Sequence, residues 1–248
     1  MASLGISVLG FLGSRQALAM PQRDPSGLTS AQSGLGWPRE ASTPAMARDA
    51  YLTPTPNVSR GPFYPPAPWG LPFLSARPQR WPEPPGTDLT RGTDPAAAPA
   101  RGQHITLTGR VLRTDGRPVP QARIEIWSVN ADALYRAEDD GVSDPGFTGY
   151  GITASNADGA YVFRTIRPPS YTRFLGLIKR TAHIHLLVQP PGGTELTTEA
   201  WFADEPKNAS DSLLSRITDS SLRQRMIMAG ESANPASVPL FRFDIVLA

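Results

Sequence analysis

The 248-residue chain contains no cysteine, which removes disulfide frameworks, thiolate metal sites and cysteine nucleophiles together and leaves the compartment undecided on redox grounds. Histidine is scarce, with three residues, and tyrosine numbers six. No block of lysine and arginine exceeds a pair and the formal net charge is only +2, so the basic footprint of a nucleic-acid binder is missing. Beyond the N-terminus no apolar run approaches the length of a membrane span. Neither nucleic acid nor, in the mature form, a membrane is therefore an expected partner.

Proline is the excess. It supplies 27 residues, about twice ordinary usage. Thirteen of them fall in residues 51–100, where their fixed φ and missing N–H would interrupt any regular element. Residues 20–102 thus read as an irregular, proline-rich arm. Ahead of it, residues 1–19 read as a signal-like segment: Leu4 to Leu12 is a small apolar stretch, and Ala17-Leu18-Ala19 fits the small-x-small rule for cleavage. Export to a periplasm or medium is the expectation. No basic residue precedes the apolar stretch, so a cytoplasmic location stays open.

From Gln103 onward the text changes to short alternating runs separated by turn residues. In "HITLTGRVL" Ile105, Leu107, Gly109 and Val111 share one face; "ARIEIWSV" repeats the alternation with Ile124 and Ile126; "NADGAYVFRTI" places a turn at Asp158-Gly159 before a strand. "AHIHLLV", "ELTTEAWF" and "FRFDIVL" continue the series. The pattern predicts an all-β fold, with a β-sandwich over residues 103–248. Helical period occurs only in "DSLLSRITDSSLRQRMIM", where Leu213, Leu214, Ile217, Leu222 and Met226 recur behind an Asp211 cap, so one short helix is expected near the C-terminus.

Two of the three histidines stand one residue apart. On a strand His183 and His185 share a face, opposite Ala182, Ile184, Leu186 and Val188, and lie roughly 7 Å apart at Cα, within reach of one metal ion. Two nitrogens cannot hold an iron or zinc alone, and an H-x-H pair on a strand is also an ordinary half-exposed arrangement. With cysteine absent, a hard metal would draw on carboxylates and tyrosinates. Tyr135, in "NADALYRAEDD", and Tyr171, in "RPPSYTR", occupy turn-like segments just after strands. Either tyrosine taken singly also reads as a packed aromatic.

"GRVLRTDGRPVPQARIEIWSVNADALYR", "NADGAYVFRTIRPPSY", "RTAHIHLLV" and "LTTEAWF", in this order, together with "RGPFYPP", "GTDLTRG" and the closing "FRFDIVL", resemble the intradiol ring-cleavage dioxygenases, and among them the iron-bearing chain of protocatechuate 3,4-dioxygenase. The likeness covers about residues 50–248. It implies a non-haem Fe(III) held by Tyr135, Tyr171, His183 and His185, and no organic cofactor. It further implies cleavage of a catechol-type ring by dioxygen, between the two hydroxyl-bearing carbons, to a muconate-type diacid. Tyr171 would leave the metal to accept a substrate proton, and Arg180 would face charge developing on the ring. Homo- and hetero-oligomers both stay open.

Three positions depart from the family pattern. Glu199 stands where "LTTQ" is usual, Arg60 where a glutamate precedes Gly-Pro-Phe-Tyr, and the segment between Tyr171 and Arg180 is short and lacks tryptophan. A carboxyl at 199 should be held neutral by burial or paired with Arg180, and is a further candidate for the catalytic set. Two other readings compete. A non-catalytic transthyretin-like or carboxypeptidase-regulatory-like binding module shares the strand and turn pattern but has no use for the tyrosines and the histidine pair. A degenerate, iron-free dioxygenase subunit would tolerate Glu199.

Overall fold

The structure is a computed structural model and describes residues 51–64, 86–139, 141–231 and 237–248. The signal-like segment 1–19, and with it the expectation of export, lies outside the described residues, as does much of the arm.

Among the described residues there are eleven strands: β1 (His104–Arg113), β2 (Arg123–Trp127), β3 (Tyr150–Ala154), β4 (Ala160–Ile166), β5 (Tyr171–Arg173), β6 (Ile178–Arg180), β7 (His183–Gln189), β8 (Leu196–Phe202), β9 (Ile227–Glu231), β10 (Leu240–Arg242) and β11 (Ile245–Leu247). Two short helices accompany them, α1 (Arg136–Asp139) and α2 (Ser220–Gln224). One half of the sandwich runs β4, β1, then β10 and β11 side by side along β1; the other runs β3, β2, β7, β8. β9 joins the halves, pairing with β8 through Ile227 and Met228 and with β10 through Ala229 to Glu231. β5 and β6 form a separate hairpin.

Alternation dictates the core. β1 buries Ile105, Leu107, Gly109 and Val111 and leaves the residues between them partly exposed. Those side chains meet Ile124 and Ile126 of β2, Phe163 of β4, Ile184, Leu186 and Val188 of β7 and Ile245 of β11 in the main apolar cluster. Gly109 is required: a Cβ there would lie 1.9 Å from the Phe243 carbonyl oxygen, at the join between β10 and β11. The Asp158-Gly159 turn forms as the sequence predicts, with Gly159 at φ +74° and Asn156 Oδ1 accepting from the N–H groups of Asp158 and Ala160.

Two features differ from the sequence expectation. The arm contributes to the core, because Leu89 is fully buried among the sandwich side chains and its N–H donates to the Arg164 carbonyl. Further upstream Thr55 and Val58 bond to Val246 and Thr197. The stretch with helical period is not one helix. It forms a 3-10 turn at Leu214–Arg216, and its one short helix, α2, starts afresh where Asp219 accepts from Ser221 and Leu222. Its apolar residues satisfy a different demand, packing Leu213, Leu214, Ile217 and Met226 around Trp201.

Candidate metal centre

β7 is buried on both faces. Ile184, Leu186 and Val188 enter the main core, while His183 and His185, each 3% exposed, face a second cluster built from Trp127, Tyr135 and neighbours. The imidazole face is thus not half-solvated, as a simple alternating strand would suggest, but enclosed.

Tyr135 arrives by a loop that its own side chains shape. Asn130 Oδ1 accepts from the N–H groups of Asp132 and Leu134, Ala133 adopts φ +62°, and Glu138 accepts from the Tyr135 N–H as α1 begins. Tyr171 opens β5 one residue beyond Pro168 and Pro169, which forbid a regular continuation from β4. The hairpin register then sets Tyr171 opposite Arg180.

The four sequence-selected groups converge. Tyr135 Oη lies 3.0 Å from Tyr171 Oη, 2.8 Å from His185 Nε2 and 3.5 Å from His183 Nε2. His183 Nδ1 is 2.6 Å from the Thr181 carbonyl, which can only accept, so the proton sits on Nδ1 and Nε2 presents a lone pair toward the phenols. Burial, reinforced by Arg180, lowers the His183 pKa to about 3. Burial and the neighbouring His183 lower His185 as well. Burial and Tyr171 hold Tyr135 well above its ordinary value; burial also raises Tyr171, with Arg180 working against it. Two neutral nitrogens and two phenols that keep their protons unless a cation displaces them suit a hard, highly charged metal ion. The donor set therefore fits the ferric centre that the sequence resemblance implies.

Glu199 is paired across the strands with His185 and is fully buried. One oxygen accepts from Arg180; the other stands 3.2 Å from Nδ1 of the neutral His185, not aligned as a hydrogen bond. His183, His185 and Glu199 could hold a metal, their donor atoms lying within 4.8 Å of one another. Glu199 faces the nitrogen of His185 turned away from Tyr135, which suits a carboxylate that orients a ligating imidazole. Arg180 also reaches Asp211, its Nε lying 3.3 Å from Oδ2. The arginine expected to face the substrate is thus bound by two carboxyl groups.

Several supporting residues carry no signal on their own. Trp127 stacks on His185 with ring centroids 4.8 Å apart, and Phe63 stacks on Tyr135 at 4.6 Å. The arm's Gly61, at φ +71°, passes over His185. Buried Glu125 accepts from Tyr64 at 2.9 Å and from Tyr150 at 2.7 Å, tying the arm to β2 and β3. Asp211, read as a helix cap, does accept from Leu213 and Leu214, but its other oxygen binds Thr181 and Arg180 beside the site. "RGPFYPP" and "IEIW" contain the first of these groups, yet only their meeting in space marks them.

A pocket of about 330 Å³ opens onto Tyr135, Tyr171 and His185, with Arg180 and Glu199 in its wall.

Comparison with known proteins gives the family. The family described as Dioxygenase matches residues 84–248. The protocatechuate 3,4-dioxygenase alpha chain of Burkholderia cepacia is 30% identical over 78% of this chain and 92% of its own length. The hydroxyquinol 1,2-dioxygenase of Rhizobium sp. (strain MTP-10005) is 34% identical over 46% of this chain, a match spanning 42% of that enzyme. Among solved structures, the dioxygenase domain of a dioxygenase carbohydrate-binding protein fusion from Streptomyces sp. SirexAA-E has a TM-score of 0.55 at 28% identity, covering 79% of this chain and 98% of that one. The chain belongs to the intradiol dioxygenase family.

Proposed function

We propose that this protein is a non-haem Fe(III) enzyme that opens a catechol-type ring between its two hydroxyl-bearing carbons, placing both atoms of O2 in a muconate-type diacid. The observation that carries the reading is the meeting of Tyr135, Tyr171, His183 and His185 at one point, from three separate segments of chain. A binding module built on the same strands has no reason to bury two neutral histidines against two phenols.

When bound, ferric iron would supply Lewis acidity and accept electron density from the ring. The protein's residues have distinct tasks around it. His183, fixed by the Thr181 carbonyl, and His185, stacked on Trp127, offer oriented nitrogens. Tyr135 is enclosed and pinned by Phe63, so it stays in place. Tyr171 is partly exposed and lines the pocket, so its oxygen is where an entering catechol hydroxyl meets the site and can pass a proton. The Phe63 segment and the hairpin wall keep bulk water from the buried face.

The test is to load the purified full chain with ferric ion and supply catechol in oxygenated buffer. A visible phenolate-to-metal band, about one iron per chain, and one O2 consumed for each ring opened are expected. Tyr171→Phe should lower the rate by about 10²-fold or more, and His185→Ala should lose the metal. A protein that stays colourless and consumes no O2 after ferric loading overturns the reading.

A further inference from the structure

The β5–β6 hairpin ends in Phe174-Leu175-Gly176-Leu177-Ile178, where polar turn residues would be ordinary. Phe174 is 63% exposed, Leu175 106%, Leu177 83% and Ile178 36%. These are four of the seven large exposed hydrophobic residues among those described. Phe174 and Leu175 also adopt φ of +53° and +56°, a conformation that bulky side chains avoid. A tip that is both apolar and conformationally costly, and that stays exposed among the described residues, marks a contact surface.

Its place in the molecule says what. Phe174, Leu177 and Ile178 line the same pocket as Tyr135, Tyr171 and His185, so the tip continues the wall of the site outward. The pocket's cations are largely neutralised before any ligand arrives. Arg60 is paired with Glu195, Arg173 with Glu138, and Arg180 with Glu199 and Asp211. Among the described residues Arg216 is the one pocket arginine for which no ion pair is found. At about 330 Å³ the cavity falls in the range of roughly 300–1,000 Å³ that takes ligands larger than a single small ring.

Resting on the catechol-cleaving reading above, we propose that the ring taken by this site carries an apolar substituent, an alkyl or aryl chain, that leaves the pocket along Phe174, Leu177 and Ile178. The hairpin that supplies Tyr171 to the centre thereby also selects the substrate. A carboxylate substituent would instead have to be held by Arg216, the pocket arginine that no described carboxylate already pairs.

The experiment compares catechol, 4-methyl-, 4-butyl- and 4-hexylcatechol, and 3,4-dihydroxybenzoate with the iron-loaded full chain. Affinity is also measured calorimetrically without oxygen, so that binding is read apart from turnover. Both kcat/KM and affinity should rise about three- to fourfold for each methylene buried, with a negative heat-capacity change on binding. Leu177→Asp, at an exposed position that leaves the core untouched, should flatten the series, read as the hexylcatechol-to-catechol ratio. Catechol cleavage with a flat series overturns the proposal and leaves the activity standing. So does preference for 3,4-dihydroxybenzoate that Arg216→Gln removes. A flat series accompanied by vesicle binding or dimerisation that Leu177→Asp abolishes would also overturn it, assigning the tip to a lipid surface or a second copy. If no ring is opened at all, the activity fails and the anaerobic affinity series still decides: a rise sustains an apolar site, and a flat series overturns it.

Discussion

Glu199 and Asp211 share one arginine but not one protonation state. Burial raises Glu199 to about 7, although Arg180 works against it. Burial also raises Asp211, but Arg180 and the N–H groups of Leu214, Leu213 and Thr181 more than reverse it, leaving Asp211 low. Glu199 is therefore the carboxyl that titrates near neutrality, and above that point it adds a negative charge beside a site that must receive catecholate. Glu199→Gln should raise the catechol cleavage rate several-fold at and above neutral pH and flatten its pH dependence. An unchanged profile would show that this carboxyl does not influence the reacting ring. Folding of the iron-free chain provides a second measure. His183 and His185 stay neutral in the fold below their ordinary value of 6.5, so beneath that pH the unfolded chain binds two more protons there. Glu199 does the reverse, since the fold holds its proton between its ordinary 4.5 and about 7. Between the ordinary histidine value and that of glutamate the two histidines outweigh Glu199, so the unfolded chain takes up more protons and stability falls with acidification. Glu199→Gln removes the opposing group and should make that fall steeper, as urea titrations at several pH values would report.

At the scale of the elements, β1 holds both β4 and, on its other edge, β10 followed by β11. The second arrangement depends on Gly109, where the Phe243 carbonyl crowds the backbone. Gly109→Ala should destabilise the fold by about 1–3 kcal/mol, seen as a fall of about 2–12 °C in thermal midpoint. Strands were legible wherever alternation is strict, as in β1, and the histidine pair was legible because the strand period puts both rings on one side. β3, β6 and β9 were not, since each is short and takes its place from partners distant in the sequence. The stretch from Asp211 to Met228 shows how a period can mislead. Its apolar spacing reflects packing around Trp201, while Asp211 and Asp219 each turn the backbone with their side chains, so no continuous helix forms. The second layer of the site was equally hidden: nothing local in "RIEIW" announces that Glu125 will bind the arm or that Trp127 will support His185.

At the scale of the whole molecule, the described parts of the arm, residues 51–64 and 86–102, form one unit with the sandwich around the centre. Leu89 fills the core, and Leu89→Ala should cost about 2–5 kcal/mol, measurable by denaturant titration. A chain beginning at residue 103 would lack Leu89 as well as the Phe63 and Tyr64 contacts, and should bind ferric ion more weakly than the full chain in competition with a chelator. β9 has a further effect on the molecule's motions. Because its first two residues are bonded to β8 and its last three to β10, neither half of the sandwich can peel open without breaking the ladder of the other. In native-state hydrogen exchange the amides of β8 and β10 should consequently report a single opening free energy, and the strand bearing Glu199 should exchange only as fast as the far half of the sandwich allows.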